Sequence, residues 1–361
     1  MKRSVNVELV DVKPYVSKRS KESLKTSESK DEKEIYLPVT HFSGSVRIKN
    51  LLPEKYFTTK KVYEKPITSL KWNYKSVNIV LSSALDKFIV LLDKSDSQVL
   101  EKARFAIHDE GIKDAIWTHG MENIITASFD KTAKLIDAES GSVLKTYTHK
   151  DVVTKVMMHP TQSNVFLTGT SKIGVFAWDA RQKESIKHFK ATFGQIQDMT
   201  FISDNTTLIT SSEVLKQNTF DKAIMAWDFA STALMPVQIY QEPFSCSYLK
   251  HHPSGEHFLA QSAANYIVIF DTQFPYKMNK CKRYGDHKCS GYRVGFDISR
   301  DGRIIYSGDT DGFLFCYDNY TSKLLKKIKC FNSPCVEVAS HPVLPSTLVV
   351  GAWDGSISIL Q

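Results

Sequence analysis

From residue 112 to 149, apolar and polar side chains alternate in four short runs: IKDAIWT, ENIITAS, TAKLID and VLKTYTH. A period of two puts successive side chains on opposite faces of a sheet, so each run predicts a β-strand. FDK separates the second run from the third, and AESGS the third from the fourth; these Asp, Gly and Ser clusters predict tight turns. Together the runs predict one small antiparallel sheet with strands a to d.

The pattern recurs along the chain. Apolar runs closed by Asp lie at 85–93 (LDKFIVLLD), 129–137 (FDKTAKLID), 171–179 (SKIGVFAWD), 220–228 (FDKAIMAWD), 264–271 (ANYIVIFD) and 310–318 (TDGFLFCYD), and WDGSISILQ follows at 353–361. The closing positions are 44, 42, 49, 43, 47 and 43 residues apart. A period of about 40–45 residues with four short strands and a terminal Trp-Asp marks WD repeats. The dipeptide is complete at Trp178-Asp179 and Trp227-Asp228. One such sheet cannot cover both of its faces, whereas stacking the sheets around a ring covers them. The expected fold class is therefore all-β, a seven-bladed WD-repeat β-propeller over 56–361.

The seventh repeat reaches Gln361 at the end of its strand c, without a strand d. Ahead of the first strand a (ITSLKWN, 67–73) lies YFTTKKVYE, 56–64, which has strand propensity and no repeat of its own. It is expected to supply the outer strand of blade 7, closing the ring with an N-terminal strand and leaving no open edge. Removing 56–64 is then expected to harm folding far more than removing 1–30. Residues 1–34 are expected to form a disordered charged tail: 17–34 holds no aromatic residue and one leucine, too little to offset its ordering entropy. Residues 35–55, beginning IYLPVTHFSGSVRI, are expected to form an extended arm that docks along the propeller or on a partner.

Five repeats place an Asp seven residues before the closing position: Asp86, Asp130, Asp221, Asp311 and Asp354. Lys172 and Ala264 take that place in the third and fifth repeats. Such a carboxylate is expected to accept hydrogen bonds from the backbone of a tight turn and from a His at the blade entrance, a structural role. His108 is placed to serve Asp130. His149 precedes the third blade, where Lys172 replaces the acid, so that blade is expected to lack a buried His–acid network.

Composition adds less. Apolar residues make up 42% and charged residues 24%, ordinary for a globular chain. No apolar run is long enough for a membrane helix, the N-terminus lacks the apolar core of a secretory signal, and no membrane partner is expected. A net charge of +8 favours acidic partners, proteins or RNA. Basic character gathers in YKMNKCKRYGDHK (276–288), SKLLKKIK (322–329) and TTKKVYEK (58–65), all on outer strands or their flanks. Lys280, Lys282, Arg283, Lys326 and Lys327 are the candidate contacts for RNA phosphates or an acidic protein. Lysines on exposed edge strands also serve simply to block sheet-to-sheet aggregation. Tyr276, Tyr284 and Tyr292 are candidates to stack on bases, or strand residues. The repeat of 49 residues carries its extra length in SSEVLKQNTF, 211–220, a candidate contact loop or a tolerated insertion.

The six cysteines lie in the last third and read as reduced thiols. The spacing of Cys281, His287, Cys289, Cys330 and Cys335 matches no usual zinc site. His159-Pro160, His252-Pro253 and His341-Pro342 recur at the ends of strand a, as turn formers. No nucleophile elbow, phosphate loop or dinucleotide fingerprint occurs. No catalytic residue, metal, cofactor or small-molecule substrate is expected.

Beyond the repeat, AWDFASTA (226–233), PFSCSYLKHHP (243–253), FLAQSAANYIVIFDT (258–272), PYKMNKCKRYGDHKCSGYRVG (275–295) and HPVLPS (341–346) carry a closer likeness. Over 66–361 the chain resembles the WD-repeat family that includes pre-mRNA-processing factor 17 and, more closely, WD repeat-containing protein 25. The resemblance implies a non-enzymatic scaffold for protein–protein interaction. For the splicing branch it implies a nuclear place in the spliceosome, with spliceosomal proteins as partners. A propeller that binds RNA directly through its basic edge, and an adaptor in an unrelated nuclear or cytoplasmic complex, are the alternatives.

Overall fold

The computed structural model describes residues 52–54, 56–95, 98–190, 194–213, 223–233, 242–273, 277–289 and 291–361. The expected tail, and all of the expected arm except 52–54, lie outside them. Every regular element among the described residues is a strand. β1 (Tyr56–Lys61) precedes the first repeat. Blade 1 is β2 (Ile67–Trp72), β3 (Ile79–Ala84), β4 (Phe88–Ser95) and β5 (Gln98–Ala106). Blade 2 is β6 (Ile112–Trp117), β7 (Asn123–Ser128), β8 (Thr132–Asp137) and β9 (Val143–Thr148). Blade 3 is β10 (Val153–Met158), β11 (Val165–Thr170), β12 (Gly174–Asp179) and β13 (Ser185–Lys190). Blade 4 shows β14 (Ile196–Phe201), β15 (Thr207–Ser212) and β16 (Ile224–Asp228) among the described residues. Blade 5 is β17 (Cys246–His251), β18 (His257–Ser262), β19 (Tyr266–Asp271) and β20 (Met278–Tyr284). Blade 6 is β21 (Phe296–Ile298), β22 (Ile304–Ser307), β23 (Phe313–Asp318) and β24 (Leu324–Lys329). Blade 7 joins β25 (Cys335–Ser340), β26 (Leu348–Ala352) and β27 (Ser356–Leu360) to β1.

The seam is therefore a strand pair. β1 runs antiparallel to β27, with Thr59 opposite Ser358 and Lys61 opposite Ser356. The chain then crosses to blade 1. Val62 and Tyr63 donate their backbone N–H groups to the Gly355 carbonyl, and the buried Tyr63 hydroxyl reaches Ser82 at 2.8 Å. Gly355 has a φ of +85°, and a Cβ there meets the Tyr63 carbonyl oxygen at 2.1 Å, so only glycine fits.

Burial follows the period of two and the position of each strand. Every residue of β3, β11 and β15 is buried, whereas β9 buries one residue and β24 none. The core is distributed: seven apolar clusters each straddle two neighbouring blades. Leu70, Val80 and Val90 of blade 1 pack with Val349, Ile357 and Ile359 of blade 7, and Tyr147 of blade 2 packs edge-on to Phe166 and Trp178 of blade 3. Each large apolar side chain buried this way contributes about 1.5–3 kcal/mol, so stacking between blades holds the ring.

Candidate partner-binding face over a charged axis

The innermost strands share one irregularity. In β2, β6, β10, β14, β17 and β25 the pairing register slips directly after the first residue pair. A bulge re-aims the side chain that follows it. Those side chains are Ser69, Asp114, Lys155, Asp198, Tyr248 and Glu337; Ser69 donates to the Ala115 carbonyl at 3.0 Å, and the other five meet at the centre of the ring. The Lys155 ammonium sits between Asp114 at 3.0 Å and Asp198 at 3.2 Å. The Tyr248 hydroxyl donates to Glu337 at 3.2 Å and accepts from Lys71 at 3.3 Å. Lys250 pairs with Asp297 at 2.6 Å. Since Tyr248 belongs to blade 5 and reaches groups of blades 1 and 7, its side chain lies across the axis.

Four cations (Lys71, Lys155, Lys250, Arg293) face four carboxylates (Asp114, Asp198, Asp297, Glu337) there. Buried charge is tolerated because each sign is paired. Burial pulls the Lys155 ammonium down, but Asp114 and Asp198 outweigh it and hold its pKa above the ordinary lysine value. Burial pushes the Asp114 carboxyl up, and Lys155, Lys71 and Arg293 reverse that and hold it low. Burial raises the Tyr248 phenol and the Glu337 carboxyl. The axis is thus a neutral, cross-braced plug.

Arg293 closes one end of it. Its Nε donates to the Ser247 carbonyl at 3.3 Å and its Nη1 to the Thr68 carbonyl at 3.4 Å, while Nη1 stands 3.9 Å from Glu337. Nη2 is buried without a hydrogen-bond partner. Ser247 and Thr68 lie near the starts of β17 and β2, so Arg293 marks the face where first strands enter. The turns between second and third strands lie on this entrance face too. Phe129 and Trp353 stand in two of those turns, and Phe244 and Tyr292 in the approaches to blades 5 and 6; all four are exposed. Tyr292 packs edge-on against Trp353 at 4.9 Å. Lys113 lies 5.5 Å from the centre of the Phe129 ring. Burial and the neighbouring Arg293 lower its pKa to about 8.

The turn acids sit at the same face. Asp130 accepts from the Thr132 N–H at 2.9 Å and its hydroxyl at 2.6 Å, and stands 2.7 Å from His108 Nδ1. His108 is buried, with Nε2 2.7 Å from the Thr126 hydroxyl. Asp86 accepts from the Phe88 N–H at 3.0 Å and Asp354 from the Ser356 N–H at 2.9 Å. In blade 6 the buried Asp309 accepts from the N–H groups of Asp311 and, at 3.0 Å, of Lys288; Asp311 itself is exposed and pairs with the Lys288 ammonium at 3.1 Å. Asp221 lies outside the described residues, as do 214–220 of the long fourth-repeat turn.

The outer-edge lysines are tied inward. Lys282 reaches the Asn319 carbonyl of blade 6 at 3.4 Å, and Lys326 the Pro53 carbonyl beside blade 7 at 2.7 Å. Lys145 and Lys187 make the same reach, to Ala180 at 2.8 Å and Phe229 at 2.7 Å. A lysine on an outer strand therefore latches a blade to the next. Arg283 lies over the Tyr266 ring at 4.7 Å, Lys327 over Phe313 at 4.1 Å, and Lys280 is exposed on β20. Tyr284 is buried and donates to Asn319 at 2.8 Å, Tyr292 belongs to the entrance face, and Tyr276 lies outside the described residues. Cys281 is exposed on β20, whereas Cys330 and Cys335 pack in the core between blades 6 and 7.

Sequence reasoning did not anticipate the axis or the aromatic rim. The available signal was a charged residue at one fixed place in successive first strands, as in IKDAIW, VTKVMM, IQDMTF and CVEVAS.

No family model matches the chain. It is 30% identical over 310 residues to WD repeat-containing protein 25 of Mus musculus, covering 85% of this chain and 58% of that protein. It is 25% identical over 333 residues to pre-mRNA-processing factor 17 of Mus musculus, covering 90% of this chain and 56% of that protein. Against pre-mRNA-processing factor 17 of Saccharomyces cerevisiae it is 29% identical over 316 residues, 85% of this chain and 67% of that one. The chain spans a little over half the length of the two mouse relatives.

Proposed function

Because the chain is a WD-repeat β-propeller homologous to WD repeat-containing protein 25 and pre-mRNA-processing factor 17, we propose that it is a non-catalytic scaffold that docks partner proteins in a nuclear pre-mRNA-splicing assembly. The observation that carries the docking role is the exposed aromatic set Phe129, Phe244, Tyr292 and Trp353 on one rigid face. Exposed aromatic side chains supply the desolvated anchors of protein interfaces. The splicing context rests on the relatives. The RNA reading draws little support from Lys282 and Lys326, whose ammonium groups already serve backbone carbonyls.

Affinity purification of the full chain from nuclear extract, beside a Phe129→Ala/Trp353→Ala double variant, tests both halves. Spliceosomal proteins are expected with the unaltered chain and are expected to be lost with the variant. Recovery of a set without splicing proteins overturns the assembly. An identical set from both forms overturns the docking face.

A further inference from the structure

The mouth of the axis holds two cations that the ring does not fully use. Arg293 donates to two carbonyls, yet its Nη2 is buried with no hydrogen-bond partner. Guanidinium carries five donors and no acceptor, so only an added acceptor satisfies the remaining one. Lys113 has no ion pair among the described residues; the Phe129 ring is beside it, and the carboxylates of Asp114 and Glu213 act on it only at a distance. The two cations are linked through one residue. Thr68 accepts from Arg293 through its carbonyl and donates its hydroxyl to the Ile112 carbonyl at 3.1 Å, next in sequence to Lys113. Around them stand Phe129 and the Tyr292–Trp353 pair, exposed and apolar.

We propose that this mouth receives a single Asp or Glu side chain of a partner protein, presented within an apolar segment, with its carboxylate between Lys113 and Arg293. The proposal rests on the docking-face reading above and names the chemistry of its occupant. Two cations near enough for Arg293 to act on Lys113 offer donors for the two oxygens of a carboxylate. Covering the site with apolar flanks removes water and strengthens charge-assisted hydrogen bonds. The same cover lets the aromatic rim act as the anchor around the charge. In the free protein Arg293 already stands 3.9 Å from Glu337 whereas Lys113 has no ion pair among the described residues, so the mouth keeps an unneutralised positive charge that disfavours basic segments and attracts acidic ones.

The test is a selection of random displayed 12-residue peptides on the full chain, followed by fluorescence anisotropy of the strongest selected peptide. Selected sequences are expected to share one Asp or Glu flanked by apolar residues. Asp→Asn or Glu→Gln in the peptide, and Lys113→Gln in the protein, are each expected to weaken binding at least about tenfold, while Lys113→Arg retains it. Thermal melts of the Lys113 variants show whether they fold, and selection on Lys113→Glu is expected to shift toward Lys- or Arg-bearing peptides. Peptides that need Phe129 and Trp353 but carry no shared acid and ignore Lys113→Gln overturn this inference and leave the docking face standing. A phosphoserine version that binds more tightly than its Asp counterpart overturns the carboxylate. Peptides indifferent to Phe129, Trp353 and Lys113, or a selection that returns none, overturn both readings.

Discussion

Blades 2 and 3 place a buried histidine at the same point of the repeat and satisfy it by different chemistry. In blade 2, His108 lies 2.7 Å from the Asp130 carboxylate and 2.7 Å from the Thr126 hydroxyl. In blade 3, Lys172 stands where the acid was, and His149 turns Nδ1 to the Tyr147 carbonyl at 3.1 Å and Nε2 to the Thr168 hydroxyl at 2.9 Å. Trp178 donates its indole N–H to the same hydroxyl at 2.9 Å and meets the imidazole edge-on at 5.1 Å. The turn that lost its carboxylate is held by Thr170, which accepts from the Ile173 N–H at 3.1 Å and donates to the Gly174 carbonyl at 2.7 Å. Holding a tight turn and satisfying a buried imidazole is one task. A charge performs it in blade 2; a hydroxyl and an aromatic ring perform it in blade 3.

The difference predicts where each blade is vulnerable. Trp178→Ala removes the indole donor and opens a cavity between blades 2 and 3, and is expected to cost about 3–5 kcal/mol in urea denaturation. The matching position of blade 2 is the fully buried Ile136, where Ile136→Val is expected to cost only about 0.5–1.5 kcal/mol. Equal losses at the two positions remove the claim that the indole carries blade 3.

Acid separates the blades next. Burial lowers the pKa of His149 to about 4, against 6.5 in the unfolded chain. Burial also lowers His108, and Asp130 offsets only part of that. Above pH 6.5 both states of the chain hold His149 neutral and this histidine adds no pH dependence. Between pH 6.5 and 4 the unfolded chain takes a proton that folded His149 refuses, so stability falls as pH falls. The loss approaches roughly 3 kcal/mol near pH 4. NMR titration is expected to show His149 protonating after His108, and melting temperature dropping across the same window. A melting temperature unchanged from pH 6.5 to 4.5 contradicts a neutral buried His149.

How much of this the sequence discloses depends on which physical rule is at work. The strands of blade 2 are legible to within a residue because a half-buried strand must alternate, and the turns FDK and AESGS bound them. The seam is legible because YFTTKK has strand propensity and the seventh repeat is short of a strand. The axis is not. In VTKVMM, Lys155 reads as the polar side of an alternating strand, and only the register slip after Val153 turns it between Asp114 and Asp198. Nothing in the period of two encodes that bulge. Spacing singles out Asp311, while Asp309, two residues earlier, accepts from the turn, because the chain enters blade 6 through Lys288. Lys326 reads as a solvated edge, yet its flexible stem reaches a carbonyl near the next blade.

Within blade 2 the acid itself is the next lever. Asp130→Ala leaves His108 Nδ1 with the Thr132 hydroxyl at 3.3 Å as a poor substitute and frees the Thr132 N–H. The expected loss is about 1–3 kcal/mol by chemical denaturation. A loss much below this range means that the Thr126 contact alone suffices for the imidazole.

Restoring the acid to blade 3 is expected to change least. Lys172 is exposed, and its turn is already tied by Thr170. For Lys172→Asp to gain, His149 must give up the Tyr147 carbonyl, so one hydrogen bond is exchanged for another. The expected change lies within about 0.5 kcal/mol. The outcome sharpens in a Thr170→Val background, where the hydroxyl is gone and the turn N–H is left without its acceptor. There the new carboxylate has a task, and Lys172→Asp is expected to recover about half of a loss of about 1–2 kcal/mol. A double-mutant cycle reads this directly as a coupling between positions 170 and 172. Zero coupling means that the hydroxyl and the carboxylate are not alternatives for one task, and the likeness between the two blades is then only one of position.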